Sequence, residues 1–226
     1  MAKETVLVFI ITVLMIMPGT VFSESMIQTN QRIIVIDPGH GGHYSGLATS
    51  GGMEEKDIAL KLAQKTAQKL EPHYNVILTR TEDTNISFQD RMFIANNISA
   101  DFFLSIHLNN SKEPSCFFYY FDPPEPGDGE MTGPENTWKS QPLFHQSESK
   151  QAINSFLNIF STHKKTNHFL SNGSPIIVLE GATMPAILIE PLSISILPHN
   201  PDEINAILDE YAMLIKKSID LYFEKK

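Results

Sequence analysis

The sequence has little of several features that mark common function classes. It has one cysteine, Cys116, among 226 residues, so an intramolecular disulfide and a cysteine-rich zinc knuckle are both excluded. Basic residues are few: 17 Lys and Arg stand against 26 Asp and Glu, which gives a formal net charge of -9. Nonspecific nucleic-acid binding depends on cations that neutralise phosphates, and anionic membrane surfaces also attract basic proteins. We therefore expect neither nucleic acid nor an anionic membrane surface as a partner.

Long hydrophobic runs are also scarce, and the clearest one lies at the N-terminus. Residues 6–17 are apolar except for Thr12, a run too short to span a bilayer comfortably. Proline and glycine end it, and residues 21–23 offer a signal-peptidase site with cleavage after Ser23. We expect residues 1–23 to be a signal peptide and residues 24–31 a short polar leader. The protein would then be exported, to the periplasm or the extracellular space, without a stable membrane span; an uncleaved anchor is the alternative.

Strand and helix patterns alternate along the rest of the chain, residues 32–226. Short apolar runs bounded by turn residues predict strands at 32–37, 76–80, 102–107, 117–121, 176–179 and 186–189. Apolar residues at helical spacing predict helices at 54–70, 87–97 and 147–163, and a last helix that begins after an Asn200 cap. This order predicts an α/β fold: a single domain with a central, largely parallel sheet of about six strands flanked by helices.

Residues 122–146 break the alternation, because they are acidic and rich in proline and glycine. A long solvated loop is the simplest interpretation, and a lid over a binding groove is the alternative. Trp138 in this loop is a weak candidate for stacking on a sugar. Cys116 is expected in the core rather than as a nucleophile. Five histidines without a partner motif are expected on the surface: His73, His145, His163, His168 and His199.

Polar side chains gather where three predicted strands end. His40 follows the first strand, His107 ends the third and Glu190 follows the sixth, while Glu55 opens the first helix. Because ligands bind beyond the carboxyl ends of strands in open α/β sheets, these four side chains are expected in one pocket. Two histidines and one glutamate form a ligand set of zinc hydrolases, and a second carboxylate can serve as general base. The spacing alone is not specific, since it lacks a compact helical zinc motif.

Several segments in order resemble one family. Residues 36–42, IDPGHGG, resemble the opening motif of the zinc-dependent N-acetylmuramoyl-L-alanine amidases of the Amidase_3 type, and Glu55 followed by lysine lies where that family has a glutamate. Further similar segments are LTR at 78–80, DR at 90–91, SIHLN at 105–109 and MPAILIE at 184–190. The resemblance extends over about residues 32–223.

The resemblance implies a function and a role for each matching residue. His40, Glu55 and His107 would bind Zn²⁺, and Glu190 would be the catalytic carboxylate. The reaction would be hydrolysis of the amide between N-acetylmuramate and L-alanine in bacterial peptidoglycan. Asp37 and Asn109 would support the ligands or contact substrate. His43, three residues beyond His40, is a further candidate contact, although a loop histidine is usually solvated.

Two departures from the family pattern favour an alternative. The family usually has Gly-Phe shortly after its catalytic glutamate, whereas residues 191–196 here are PLSISI. Glu180 stands where arginine is common, and a carboxylate near the pocket could repel an anionic substrate or raise the pKa of Glu190. These changes suggest a non-catalytic peptidoglycan-binding protein that keeps the amidase fold. Another zinc peptidase or amidohydrolase with convergent ligands explains the order of motifs poorly. We expect a monomer, and the sequence does not show whether an activator protein is required.

Overall fold

Helices and strands alternate in the computed structural model, which describes residues 31–49, 51–123, 138–163, 165–166 and 168–226. The strands are β1 (Ile33–Pro38), β2 (Asn75–Leu78), β3 (Phe102–Ile106), β4 (Ser115–Phe121), β5 (His168–Ser174) and β6 (Ala186–Glu190). The helices are α1 (Glu55–Leu70), α2 (Phe88–Asn97), α3 (Gln141–Phe144), α4 (Gln146–Phe160) and α5 (Pro201–Glu224). The predicted signal peptide and nearly all of the predicted leader lie outside the described residues.

The six strands form one sheet in the order β2-β1-β3-β6-β4-β5. Every pairing is parallel except that of β4 with β6, which is antiparallel. The carboxyl ends of β1, β3 and β6 therefore meet at one edge of the sheet, beside the amino end of β4. This edge is where the predicted site residues were expected, and the predicted single α/β domain with a largely parallel sheet is confirmed.

Alternating side chains of the central strands bury both faces of the sheet. In β1, Ile34 and Ile36 join the larger core beneath α1, α4 and α5, whereas Val35 points into the smaller core beneath α2. All three are fully buried, which explains why this strand reads as a continuous apolar run. Cys116 lies in the larger core, as predicted. No helix in the described ranges is long and apolar enough to cross a membrane.

Two helix starts follow the cap chemistry of the sequence. Ser87 caps α2, since its hydroxyl accepts a hydrogen bond from the Asp90 N–H at 3.1 Å. Asn200 caps α5 by accepting from the Asp202 N–H at 2.8 Å, and Pro201 occupies the first helical position. Both caps satisfy backbone donors that have no partner inside the helix.

The predicted strand at residues 176–179 was wrong. Residues Ile177–Leu179 form a short 3₁₀ helix that buries Val178 and Leu179 and leaves Ile177 exposed. The strand at this side of the sheet is β5, whose sequence HFLSNGS is mostly exposed because it pairs with β4 alone at the sheet edge. An edge strand whose residues are mostly exposed carries no continuous apolar run, so the pattern pointed to the wrong segment.

Two smaller expectations also need correction. The predicted loop 122–146 is helical at its end, with a 3₁₀ turn at Trp138–Ser140 followed by α3, and residues 124–137 lie outside the described residues. His163 is buried rather than on the surface, because its ring lies between the Thr166 hydroxyl at 3.1 Å and the Glu210 carboxylate at 2.9 Å.

Candidate metal site

Three side chains from three elements converge at the carboxyl edge of the sheet. His40 follows β1, Glu55 is the first residue of α1, and His107 follows β3. Oε1 of Glu55 lies 3.0 Å from His40 Nε2 and 3.0 Å from His107 Nδ1, and the two ring nitrogens are 3.1 Å apart. One ligand atom from each residue falls within 4.8 Å of the others. Two imidazoles and one carboxylate in this arrangement suit Zn²⁺, which takes such donors with a fourth position open.

The Glu55 carboxylate is buried and held as an anion. Its side chain accepts hydrogen bonds from the Leu47 N–H at 2.9 Å and the Leu108 N–H at 3.0 Å. Burial alone raises the pKa of Glu55, but the hydrogen bonds to His107 and His40 outweigh burial and bring this pKa well below its usual range. Glu54, the neighbour most easily confused with it, lies outside the helix and pairs with Lys56 at 3.3 Å.

Glycines permit the close approach of the three side chains. A Cβ at Gly39 would lie 2.4 Å from the His107 ring. A Cβ at Gly46 would lie 2.6 Å from Glu55 Oε2 and from the His40 ring, and Gly46 also has a left-handed φ of +69°. Both positions therefore accept only glycine without displacing a site side chain.

Glu190 lies at the end of β6 and lines the same cavity as these three residues. Burial, and secondarily the negative charge of Glu55, raise the pKa of Glu190 to about 7. Its backbone carbonyl accepts from the Asn109 side-chain amide at 3.3 Å. A carboxyl group with a pKa in this range suits a general acid-base role near neutral pH.

The cavity around the site is open and has a volume of about 720 Å³. Phe117 and Tyr119 of β4 line one side of it, because β4 runs antiparallel to β6 and places Phe117 opposite Glu190. Asn110 and Ser111 also line it. The sequence prediction missed these four residues. Asn110 and Ser111 directly follow the SIHLN segment, so their position beside a predicted site residue could have identified them.

The three residues predicted to support the ligands or contact substrate lie in different positions relative to the cavity. Asp37 is fully buried and accepts hydrogen bonds from Thr79, Ser105 and Arg91, which places its carboxylate behind the site rather than in the cavity. Asn109 lines the cavity while its amide also bonds to the Ser115 carbonyl at 2.9 Å. His43 is exposed and is not among the residues that form the candidate ligand group.

Neither departure from the family pattern lines the cavity. After Glu190, the chain binds to the loop after β3: the Leu192 carbonyl accepts from Asn109 N–H at 3.1 Å, and Ser193 donates to the Ser111 carbonyl at 2.6 Å. Glu180 lies on the segment that leads into β6, whereas Glu190 lies at the far end of that strand. The expected effect of Glu180 on the pKa of Glu190 was wrong, since Glu180 pairs with Lys139 at 3.4 Å and does not line the cavity.

Comparison with known proteins agrees with this geometry. Residues 34–219 match the family described as N-acetylmuramoyl-L-alanine amidase. The sporulation-specific N-acetylmuramoyl-L-alanine amidase of Bacillus subtilis is 37% identical over 160 residues, which are 70% of this chain and 54% of that protein. The chain thus spans about half the length of this relative, and a smaller share of the AmiC amidase of Neisseria meningitidis.

Solved amidase structures have the same fold. AmiC2 of Nostoc punctiforme matches with a TM-score of 0.64 and 27% identity, over 85% of this chain and 97% of that one. An amidase from Clostridium difficile 630 matches with a TM-score of 0.63 and 28% identity, over 88% of this chain and 100% of that one. The family match covers most of the sequence, and the chain belongs to the N-acetylmuramoyl-L-alanine amidase family.

Proposed function

We propose that this protein is a zinc-dependent amidase that hydrolyses the amide bond between N-acetylmuramate and L-alanine in bacterial peptidoglycan. The observation that carries the proposal is the convergence of His40, Glu55 and His107 with Glu190 in one open cavity. Membership of the amidase family supplies the class of substrate. The name of the Bacillus subtilis relative, an N-acetylmuramoyl-L-alanine amidase, supports the same bond.

His40, Glu55 and His107 would hold the metal. Zn²⁺ bound there would supply Lewis acidity towards the amide carbonyl and towards the attacking water. The residues suit the ion, since Glu55 is an anion at neutral pH and both ring nitrogens already face its carboxylate.

Glu190 would move the proton. As a carboxylate it accepts a proton from the attacking water, and as a carboxylic acid it donates that proton to the nitrogen of the leaving L-alanine. A pKa of about 7 makes both forms accessible near neutral pH. Asn109 would fix the end of β6 that carries Glu190, through its bond to the Glu190 backbone carbonyl.

Peptidoglycan lies outside the cytoplasmic membrane, which agrees with the export predicted from residues 1–23. We propose that the protein acts at the cell wall, in the periplasm or outside the cell, and that it acts as a monomer. Phe117, Tyr119 and Asn110 form the wall of the cavity where the sugar and the stem peptide would lie. Neither nucleic acid nor an anionic membrane surface is expected as a partner, given the net charge of -9.

Digestion of purified peptidoglycan tests the proposal. The protein with added Zn²⁺ should release stem peptides that begin with L-alanine, identified by mass, and EDTA should abolish the release. Glu190→Gln keeps the size and the hydrogen-bonding capacity of the side chain but not its proton transfer, so it should lower the rate by at least ~100-fold. A wild-type protein that binds zinc and peptidoglycan but releases nothing would favour the non-catalytic binding protein.

A further inference from the structure

The backbone of His40 has an unusual conformation. Its φ is 60°, and Ser99 is the only other residue besides glycine with a positive φ in the described part of the chain. The left-handed region is disfavoured for residues with a Cβ, so such a residue persists only where its surroundings hold it in place. His40 is also one of the three residues assigned to the metal. The contacts that fix its backbone conformation therefore also set the direction of its imidazole.

Two buried arginines hold this turn from behind. Arg91, from α2, donates to the His40 carbonyl at 2.6 Å and to the Pro38 carbonyl at 2.7 Å. Arg80, just after β2, donates to the Gly39 carbonyl at 2.7 Å and to the Pro38 carbonyl at 3.0 Å. Three consecutive carbonyls therefore point towards guanidinium groups, while the His40 ring points the other way, to Glu55 and His107.

Arg91 is itself fixed by Asp37. The two side chains are 3% and 0% exposed, and Arg91 Nη1 lies 2.7 Å from Asp37 Oδ1. The Thr79 hydroxyl at 2.6 Å and the Ser105 hydroxyl at 2.8 Å hold the carboxylate in turn. One guanidinium thus links a carboxylate in β1 to the carbonyl of His40, three residues further along the chain. The planar guanidinium can donate to the Asp37 carboxylate and to the His40 carbonyl at the same time. A lysine ammonium is too compact to reach both acceptors.

We propose that Arg91 is a positioning residue for His40. Its hydrogen bond to the His40 carbonyl keeps the turn left-handed and so directs the imidazole to the ligand group, with Asp37 as the anchor of the guanidinium. The inference rests on the proposed metal site. A purely structural ion pair needs only the Asp37 contact, whereas a second nitrogen, Nη2, reaches the backbone of the ligand residue itself.

Arg91→Lys tests this inference in the full chain. The variant keeps a cation beside Asp37 but loses the fork that reaches the His40 carbonyl. We expect its zinc dissociation constant, measured by chelator competition, to rise 10–100-fold, the range typical when a residue that orients a metal ligand is lost. The visible spectrum of the Co²⁺-substituted variant should differ from that of the wild type, since the geometry of the ligands changes. Asp37→Asn should shift zinc affinity in the same direction by less.

Phe160→Leu is the matched control, because Phe160 lies in the larger core and contacts Phe118 and Phe156, away from the turn. It should lower the melting temperature but leave zinc affinity and the Co²⁺ spectrum unchanged. Folded Arg91→Lys and Asp37→Asn variants with wild-type zinc affinity and spectrum would overturn the inference alone. A folded wild-type protein that binds no zinc would overturn the metal site and this inference together. If Arg91→Lys does not fold, Asp37→Asn decides between these outcomes.

Discussion

At the scale of single residues, the absence of a side chain at Gly46 leaves room for the side chains of Glu55 and His40. Gly46 and Gly52 both have a left-handed backbone, with φ of +69° and +80°. They differ in their surroundings: a Cβ at Gly46 would press on Glu55 and His40, whereas a Cβ at Gly52 would meet nothing within 4 Å. The pair therefore separates backbone strain from crowding of the site.

Substitution of these two glycines by alanine gives a prediction. Gly52→Ala should lose about 1 kcal/mol of unfolding free energy, because alanine disfavours the left-handed region, and Gly46→Ala should lose more, because its methyl group also crowds Glu55 and His40. Only Gly46→Ala should also weaken zinc binding, by at least ~10-fold, since the new methyl group displaces a ligand side chain. Calorimetric titration with Zn²⁺ and denaturant unfolding measure the two effects. Equal zinc affinity in both variants would contradict the close packing described for Gly46.

Glu190 gives a second prediction, on stability against pH. Its pKa is about 7 in the folded protein, against 4.5 as the ordinary value expected after unfolding. Because the folded protein binds this proton more tightly than the unfolded chain, protonated Glu190 contributes its full stabilisation below pH 4.5. That stabilisation is lost as the pH rises through 7. In EDTA-treated protein, Glu190→Gln should therefore gain stability relative to wild type between pH 5 and pH 8, by on the order of 2 kcal/mol.

Urea unfolding at the two pH values measures this gain. The exposed Glu82 provides the matched control, since Glu82→Gln removes a carboxylate that lies in solvent. The expected result is a pH-dependent difference for Glu190→Gln alone. The same difference for both variants would show that general charge effects, and not the burial of Glu190, set the pH dependence.

The sequence indicated which residues lie in the cavity, but not which other side chains surround them. Polar residues at strand ends pointed to His40, His107 and Glu190, and the acid that opens α1 pointed to Glu55, because strand ends and the helix starts that follow them meet at one edge of a parallel sheet. The position of Asp37 behind the site could not be read in the same way, since strand pairing brings Thr79 and Ser105 against it. The wall formed by Phe117 and Tyr119 depends on β4 running antiparallel, which the strand pattern does not encode.

At the scale of secondary-structure elements, local chemistry decided what could be predicted. The caps at Ser87 and Asn200 use hydrogen bonds within a few residues, so they were visible in the sequence. β1 and β3 were visible because both faces are buried. β5 was not, since its polar residues are held by β4 alone and its existence depends on tertiary pairing.

The cap of α5 gives a prediction for an element. Asn200→Ala removes the acceptor of the Asp202 N–H and should lower the unfolding free energy by about 1 kcal/mol. For a protein of this size that corresponds to a fall of about 2–4 °C in melting temperature. Asn200→Asp keeps an oxygen at the same place and should retain stability. Equal losses in both variants, measured by thermal unfolding, would show that the side-chain acceptor is not what stabilises the start of α5.

At the scale of the whole molecule, one compact unit from residue 31 to residue 226 supplies every site residue described. The sheet brings together residues that are as far apart in sequence as His40 and Glu190, and the family match extends across nearly all of this unit. The loop between β3 and β4, which lines the cavity, is hydrogen-bonded to the segment after β6, so the chain on either side of Glu190 is tied to the rest of the site. The unit therefore needs no second domain to assemble the proposed catalytic group.

The position of the cleaved bond tests the proposed function most directly. A purified muropeptide with an intact stem, incubated with the protein and Zn²⁺ in water enriched in oxygen-18, should give two products separable by mass. Amide hydrolysis places one heavy oxygen in the lactyl carboxylate of N-acetylmuramate and none in the peptide that begins with L-alanine, and Glu190→Gln should give neither product at a comparable rate. An uncleaved muropeptide, or a heavy oxygen within the peptide, would contradict the assignment of this chain as an N-acetylmuramoyl-L-alanine amidase.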